Sequence, residues 1–208
     1  MAAVAGRRNI HDLGFTEPLL RGISALANAS PSDVVLDAGC GEGFYLGSLA
    51  TAAGFDAHGV DISIPAIDAA ARRYPAAEWV VANADRALPY LDESFSLILS
   101  ITARMNAAEF RRVIRPGGRL LVAIPAPEDL IELRGAGRDR IERTVETFAQ
   151  DFKLIDQRRV TTTGELDAGS VQDVLHSIYR PMQTQPAAAM RVTFSLDLLY
   201  FSAADERG

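Results

Sequence analysis

Val35-Leu36-Asp37-Ala38-Gly39-Cys40-Gly41-Glu42-Gly43 is the stretch that decides the fold of this 208-residue chain. It opens with apolar residues of strand length, bends through three glycines, and runs into Phe44–Ala53, a stretch of helical period. A strand that turns through glycines into a helix begins a crossover unit. Glycines 39, 41 and 43 let the backbone approach a ligand where a Cβ would stand in the way, and the helix behind them offers N–H groups and a positive dipole end. Dinucleotide and mononucleotide sites both use such loops. Asp37 narrows the choice, because a carboxylate ahead of the glycines repels a pyrophosphate but suits an ammonium or a polar bridge. No Gly-Lys-Ser/Thr follows, which excludes a P-loop.

Outward from this bend, strand-length and helical stretches alternate. Asp33–Asp37, Asp56–Asp61, Trp79–Ala82, Phe95–Ile101 and Leu120–Ile124 are expected strands; Phe44–Ala53, Pro65–Tyr74 and Ala107–Ile114 are expected helices. Several strands are apolar at consecutive positions, as strands covered on both faces are, so the pattern predicts a doubly wound α/β sheet. Ser63 is placed to cap the helix that carries Pro65 in its first turn, and Gly54 ends the helix before it. Pro116-Gly117-Gly118 is expected to turn the chain into the fifth strand. Thr16–Asn28 reads as an amphipathic helix, Glu128–Phe148 as one charged helix, Phe152–Thr161 as a strand, Ser170–Tyr179 as a helix and Arg191–Phe201 as the last strand. Gln185–Met190 reads as a loop or short helix. No repeat or long linker interrupts the chain, so one domain over 1–208 is expected: a helical segment 1–30, a cofactor-binding core 31–125 and a substrate-side part 126–208.

A second signal lies 24 residues after Asp37, in Gly59-Val60-Asp61-Ile62-Ser63. Asp61 could cap the next helix. Beside a glycine loop at this spacing, the stronger reading is a carboxylate accepting hydrogen bonds from both hydroxyls of a ribose. Composition limits the rest. The net charge of −6 argues against a uniformly basic surface for nucleic acid but allows a local patch. Of 21 basic residues 20 are arginine, which with the abundant alanine reflects base composition more than a ligand. One cysteine, Cys40, excludes an internal disulfide and a multi-thiolate zinc site. No apolar run approaches the ~18 residues that span a bilayer. A cytoplasmic protein without metal or membrane attachment is expected.

Asp-Ala-Gly-Cys-Gly-Glu-Gly, Gly-Val-Asp-Ile-Ser, Leu88-Pro89-Tyr90 with Ser94-Phe95, and Arg115-Pro116-Gly117-Gly118, in this order, resemble the class I S-adenosylmethionine-dependent methyltransferases. The resemblance implies a Rossmann-like, seven-stranded, mostly parallel sheet with helices on both faces and Arg191–Phe201 as an antiparallel last strand. It implies S-adenosyl-L-methionine as cofactor, with Asp37, Gly39, Cys40, Gly41 and Gly43 facing its methionine and ribose. Asp61 would take the ribose hydroxyls, Ile62 would pack on the adenine, and Asn83, Ala84 and Asp85 would lie by its amino group. Ser100 would close the same pocket.

Arg7-Arg8-Asn9-Ile10-His11-Asp12-Leu13-Gly14-Phe15 with Pro18-Leu19, the short link from Ser100 to Arg115, and Pro125-Ala126-Pro127 followed by Leu130, Glu132, Leu133 and Arg134 are similar to a narrower group, the bacterial large-subunit rRNA (guanine-N1) methyltransferases. That group begins with a cysteine-ligated zinc ribbon that helps hold the RNA; these 208 residues hold no such module. They also carry Arg104 where the group usually has proline, and Tyr179-Arg180 where it often has Thr-Pro. Guanine N1 is protonated at neutral pH, so its methylation needs a proton acceptor. The loop Ser100–Arg104, expected to face the reacting atom, has neither carboxylate nor histidine. The expected acceptor is Asp12, with Glu128 and Asp129 as further candidates. Thr102, Arg104, Pro125, Pro127, His176 and Arg180 are the expected substrate residues. The methyl acceptor is thus rRNA or, as alternatives, a small molecule, or the chain binds the cofactor without catalysis. An NAD-dependent oxidoreductase fits poorly, given Asp37 ahead of the glycines.

Overall fold

The computed structural model describes residues 2–177 and 188–205. In chain order they form α1 (Ala2–Asp12), α2 (Glu17–Ala27), β1 (Val34–Ala38), α3 (Phe44–Ala53), β2 (Asp56–Asp61), α4 (Ile64–Arg73), β3 (Glu78–Val81), β4 (Phe95–Ile101), α5 (Ala107–Val113), β5 (Ile114–Pro125), α6 (Ile131–Arg134), α7 (Ile141–Phe148), β6 (Phe152–Leu166), α8 (Ala168–Ser177) and β7 (Met190–Ala203). The strands make one seven-stranded sheet in the order β3-β2-β1-β4-β5-β7-β6. β1, β2, β3, β4 and β5 run parallel, while β7 is antiparallel to both β5 and β6. The chain leaves β1 to one side for β2 and later returns on the other as β4. The carboxyl ends of β1 and β4 therefore bound the crevice where open α/β sheets bind ligands.

Successive apolar residues on the central strands feed two cores. Val35, Leu97, Leu99, Leu121 and Ala123 meet Leu19 and Ile23 of α2 and Leu46 and Leu49 of α3. Leu36, Ile98, Leu120 and Val122 meet Phe110 and Val113 of α5 and Phe148 of α7 on the other face. Each such side chain contributes about 1.5–3 kcal/mol by leaving water. Helix punctuation follows the sequence: Ser63 Oγ accepts from the Ala66 N–H at 3.4 Å, and Gly54 closes α3 at φ +75°.

Three expectations change. The single helix over Glu128–Phe148 is two, α6 and α7, because Gly135 takes φ +70° and ends the first. The turn Pro116-Gly117-Gly118 lies inside β5, as an irregularity across which the register on β4 shifts. The strand expected to stop at Thr161 continues to Leu166, and β7 begins correspondingly early at Met190. β5 pairs with β7 only from Leu196 to Ser202, so the far half of the β6–β7 hairpin projects past the sheet. A third, smaller core sits under that overhang, where Ile10 of α1 meets Val171 and Val174 of α8, Leu130, Leu166 and Val192. No described helix is long and apolar enough to cross a membrane.

Candidate active site

The bend after β1 is fixed by its own backbone. The N–H groups of Gly39 and Cys40 donate to the Val60 carbonyl, at 2.8 and 3.1 Å, and that of Gly43 donates to Cys40 O at 3.0 Å. Gly41 N–H donates to Asp61 Oδ2 at 2.9 Å, while Asp61 Oδ1 accepts the Ser63 N–H at 2.8 Å. With these amides spent inside the protein, the bend offers little to a pyrophosphate. Gly39 and Gly43 are required by the protein itself: a Cβ would stand 2.4 Å from Ala103 at the first and 2.3 Å from the Trp79 ring at the second. Gly39 and Gly41 both line the cavity, and at Gly41 the missing Cβ would stand 3.5 Å from Arg7 Nη1.

Asp37 is 1% exposed, and its Oδ1 has no hydrogen-bond partner among the described residues. Burial, with the Asp61 carboxylate adding to it, pushes its pKa up to about 8. A buried, unpartnered carboxylate beside a second acid calls for a cation or a hydroxyl. Ile62 follows with its side chain 61% exposed, an apolar surface that a flat ring can cover. These groups fit S-adenosylmethionine, whose ammonium and sulfonium supply positive charge and whose ribose and adenine supply hydroxyls and a flat face.

A cavity of about 340 Å³ opens from the bend. Asp37, Gly39, Cys40, Gly41, Thr102 and Pro125 form its floor, and Val160, Thr162, Phe194 and Leu196 of the hairpin overhang form one wall. α1 covers it, crossing α8 closely enough that a Cβ on Gly6 would stand 2.6 Å from the Asp173 carbonyl, with Asn9 Nδ2 donating to Asp173 Oδ2 at 2.8 Å. His11 of α1 stacks on Phe44 at 3.9 Å between ring centres, bonds Thr16 Oγ1 through Nδ1 at 2.7 Å, and brings Nε2 to 3.8 Å from Glu42 Oε1. Burial and Arg7 lower the His11 pKa to about 4, so its ring is neutral at physiological pH. Glu42 is raised by the same burial. Across the cavity, Asp129 Oδ1 accepts the Ser195 N–H at 2.9 Å, Oδ2 accepts from Arg134 Nη2, and burial raises the Asp129 carboxyl. Thr102 stands on the floor at φ +51°, strained for a β-branched residue, held by its N–H to Ala123 O at 2.8 Å.

The expected residues divide. Asp37, Gly39, Cys40, Gly41, Thr102 and Pro125 line the cavity, and Asp61 and Ile62 border the bend. The Cys40 thiol turns away, lying 3.0 Å from the position of a Cβ on Gly59 and donating toward Gly41 O at 3.6 Å. Ser100 is wholly buried, and its Oγ has no hydrogen-bond partner among the described residues. Asn83, Ala84 and Asp85 form the turn after β3, where Asn83 Oδ1 accepts the Asp85 N–H at 3.0 Å. Four placements correct the sequence reading. Asp12 faces outward and pairs with Arg73 at 3.2 Å, so it does not line the cavity. Arg104 is exposed and pairs with Asp85 at 3.5 Å; His176 is exposed and bonded to Gln172; Pro127 lies off the wall, its carbonyl accepting the Gly137 N–H. Arg180 lies outside the described residues. Sequence reasoning missed Glu42, within the bend, and also Arg7, Thr162, Val174 and Ser177, which reach the cavity through the β6–β7 register and the α1–α8 crossing.

Residues 35–118 match the methyltransferase domain family, and the sheet order with its antiparallel β7 is that of the class I S-adenosylmethionine-dependent methyltransferases. The cofactor of that class is S-adenosylmethionine. A TehB-like SAM-dependent methyltransferase from Corynebacterium glutamicum shares the fold, with TM-score 0.58 and 22% identity over 94% of this chain and 93% of that one. Among curated proteins, the 23S rRNA (guanine(748)-N(1))-methyltransferase of Streptomyces fradiae is 36% identical over 176 residues, which is 79% of this chain and 62% of that protein. A malonyl-[acyl-carrier protein] O-methyltransferase of Halorhodospira halophila is 32% identical over 172 residues, 76% of this chain and 55% of its own length.

Proposed function

We propose that this domain transfers a methyl group to N1 of a guanine in large-subunit rRNA. The observation that carries the reading is the 36% identity to the Streptomyces fradiae enzyme across most of the chain. The cavity supports it, since a buried carboxylate, Asp129, is among the residues that line it with the bend, and guanine N1 must lose a proton to become a nucleophile. S-adenosylmethionine supplies an electrophilic methyl carbon on sulfur. Asp37 faces its cationic methionine part, Gly41 leaves room beside it, Asp61 receives the ribose hydroxyls, and Ile62 covers one face of the adenine. Ala84 and Asp85 border the adenine edge, and Ser100 backs the floor beneath. Thr102 and Pro125 align the base with the methyl group, while α1 and the hairpin overhang exclude water.

The malonyl-[acyl-carrier protein] relative favours a second reading, a carboxylate acceptor. Methylating a carboxylate removes no proton, so that reading leaves Asp129 without work. Incubation with methyl-labelled cofactor and unmodified large-subunit rRNA separates the two. Label in the RNA, with reverse transcription arrested at a guanine, is the expected result, because a methyl on N1 blocks the pairing edge. Label entering only small carboxylic acids from a cell extract would replace the first reading with the second. RNA binding should weaken steeply with salt if phosphates are contacted.

A further inference from the structure

We infer that Asp129 is the acceptor of the guanine N1 proton and that Arg134 holds O6 of the same base, the two side chains forming one recognition unit on the cavity wall. The inference rests on the guanine-N1 reading above. Asp129 is 6% exposed, and both residues line the cavity. The pair is rigid: Ser195 N–H donates to Oδ1, Arg134 Nη2 to Oδ2, and Arg134 Nε to the Asp129 carbonyl at 2.9 Å. Each carboxylate oxygen has a second lone pair, and among the described residues these contacts use two of the five guanidinium N–H donors.

Guanine offers an acceptor, O6, beside two donors, N1–H and N2–H. A carboxylate joined to a guanidinium offers the matching donor beside an acceptor. In the step, the N1–H bond breaks and an Asp129 O–H bond forms. The electron pair left on nitrogen makes the bond to the methyl carbon, and the carbon–sulfur pair remains on sulfur; the proton later leaves Asp129 for water. Before that bond forms, the negative charge on the ring is shared with O6, where a fixed guanidinium stabilises it. The other two carboxylates of the cavity lack this arrangement. Asp37 stands by Asp61 under the bend, and Glu42 faces His11 of α1 with neither oxygen hydrogen-bonded among the described residues. The charges facing Asp129 are Arg134 of α6 and Glu128, itself paired with Arg159 of β6 at 3.3 Å. Burial, the largest influence, raises its proton affinity, as an acceptor working near neutral pH requires.

The test is Asp129→Asn, measured with the same rRNA. Expected is a fall in kcat of at least about 100-fold at neutral pH, then recovery of about tenfold per pH unit as the solution approaches the ionisation of guanine N1 itself. Cofactor affinity by calorimetry should stay at the wild-type value, while the thermal midpoint should fall, because the amide keeps one acceptor oxygen for two donors. Arg134→Lys, which keeps charge but loses the fork, should lower kcat about tenfold without that alkaline recovery. A variant Asp129→Asn as active as wild type overturns the inference, and so does a loss of activity that tracks a lowered midpoint and ignores pH. Wild-type protein that makes no N1-methylguanine overturns both this inference and the function it rests on. Wild-type N1 methylation with an unimpaired variant overturns this inference alone.

Discussion

The two sides of the cavity are made in different ways. The cofactor side is short-range: Asp37 to Ser63 supply the carboxylates, the bend and the apolar cover, and backbone bonds between the adjacent strands β1 and β2 hold them. The opposite side is assembled from α1, the segment after β5, the β6–β7 overhang and α8, which lie far apart in sequence. A short-range site is fixed by steric rules acting on neighbours. A long-range one depends on strand register and helix crossings, so single substitutions there should be absorbed unless they touch Asp129, Arg134 or a close crossing such as Gly6 against the Asp173 carbonyl.

The largest expected effect falls on the short-range side. Gly43 is held at φ +75°, and a methyl group there would meet the Trp79 ring at 2.3 Å. Gly43→Ala should cost about 2–4 kcal/mol of stability, from overpacking and backbone strain together. Urea unfolding reads this directly, and a midpoint equal to wild type would show that the bend is softer than its contacts imply. Next comes Asp61→Ala, which frees the Gly41 and Ser63 N–H groups and removes the proposed acceptor of the ribose hydroxyls. Calorimetry should show cofactor affinity reduced by about 1–3 kcal/mol; unchanged affinity would displace the ribose from this carboxylate.

Asp37 gives a smaller, pH-dependent effect. With its pKa raised to about 8 by burial and Asp61, it is protonated in much of the free protein at pH 7. A cationic ligand favours the ionised form, so binding releases a proton. Affinity should therefore rise with pH up to about 8 and flatten above. Calorimetry at pH 7 in two buffers of different ionisation heat should reveal the release. Stability of the free protein moves the other way: the unfolded carboxyl ionises near ~4, so the folded state loses stability as pH rises from there through about 8. Asp37→Asn should remove that slope while weakening cofactor binding.

The same division explains what could be read from the sequence. β1, the bend, Asp61 and the Ser63 cap announce themselves because glycines, an acid and a capping serine sit at spacings set by one crossover unit. The doubly wound α/β character of the sheet follows from five apolar runs and their intervening helices. The opposite wall gives no such local sign. Gly135 breaks a charged stretch that otherwise has helical composition, and nothing in Thr162 or Ser177 marks it as facing a cavity. Asp12 shows the failure most clearly. It lies next to a residue that does reach the cavity, His11, and a helix turns neighbouring side chains about 100° apart.

That makes Asp12→Ala the sharpest small test of the comparison. Asp12 is 55% exposed and pairs with a partly exposed Arg73 at 3.2 Å. Such pairs contribute less than about 1 kcal/mol, and salt weakens them further. The substitution should shift the thermal midpoint slightly at low salt and not at all at high salt, with kcat and KM for RNA unchanged. His11→Ala, one position away, should do more, because it removes the ring stacked on Phe44 and bonded to Thr16 where α1 meets the bend. If Asp12→Ala instead lowered kcat tenfold while His11→Ala did not, α1 would have to sit on the bend with its other face inward. The wall opposite the cofactor would then be built from α1 and not from Asp129, and the division between a short-range and a long-range half would fail at its most exposed point.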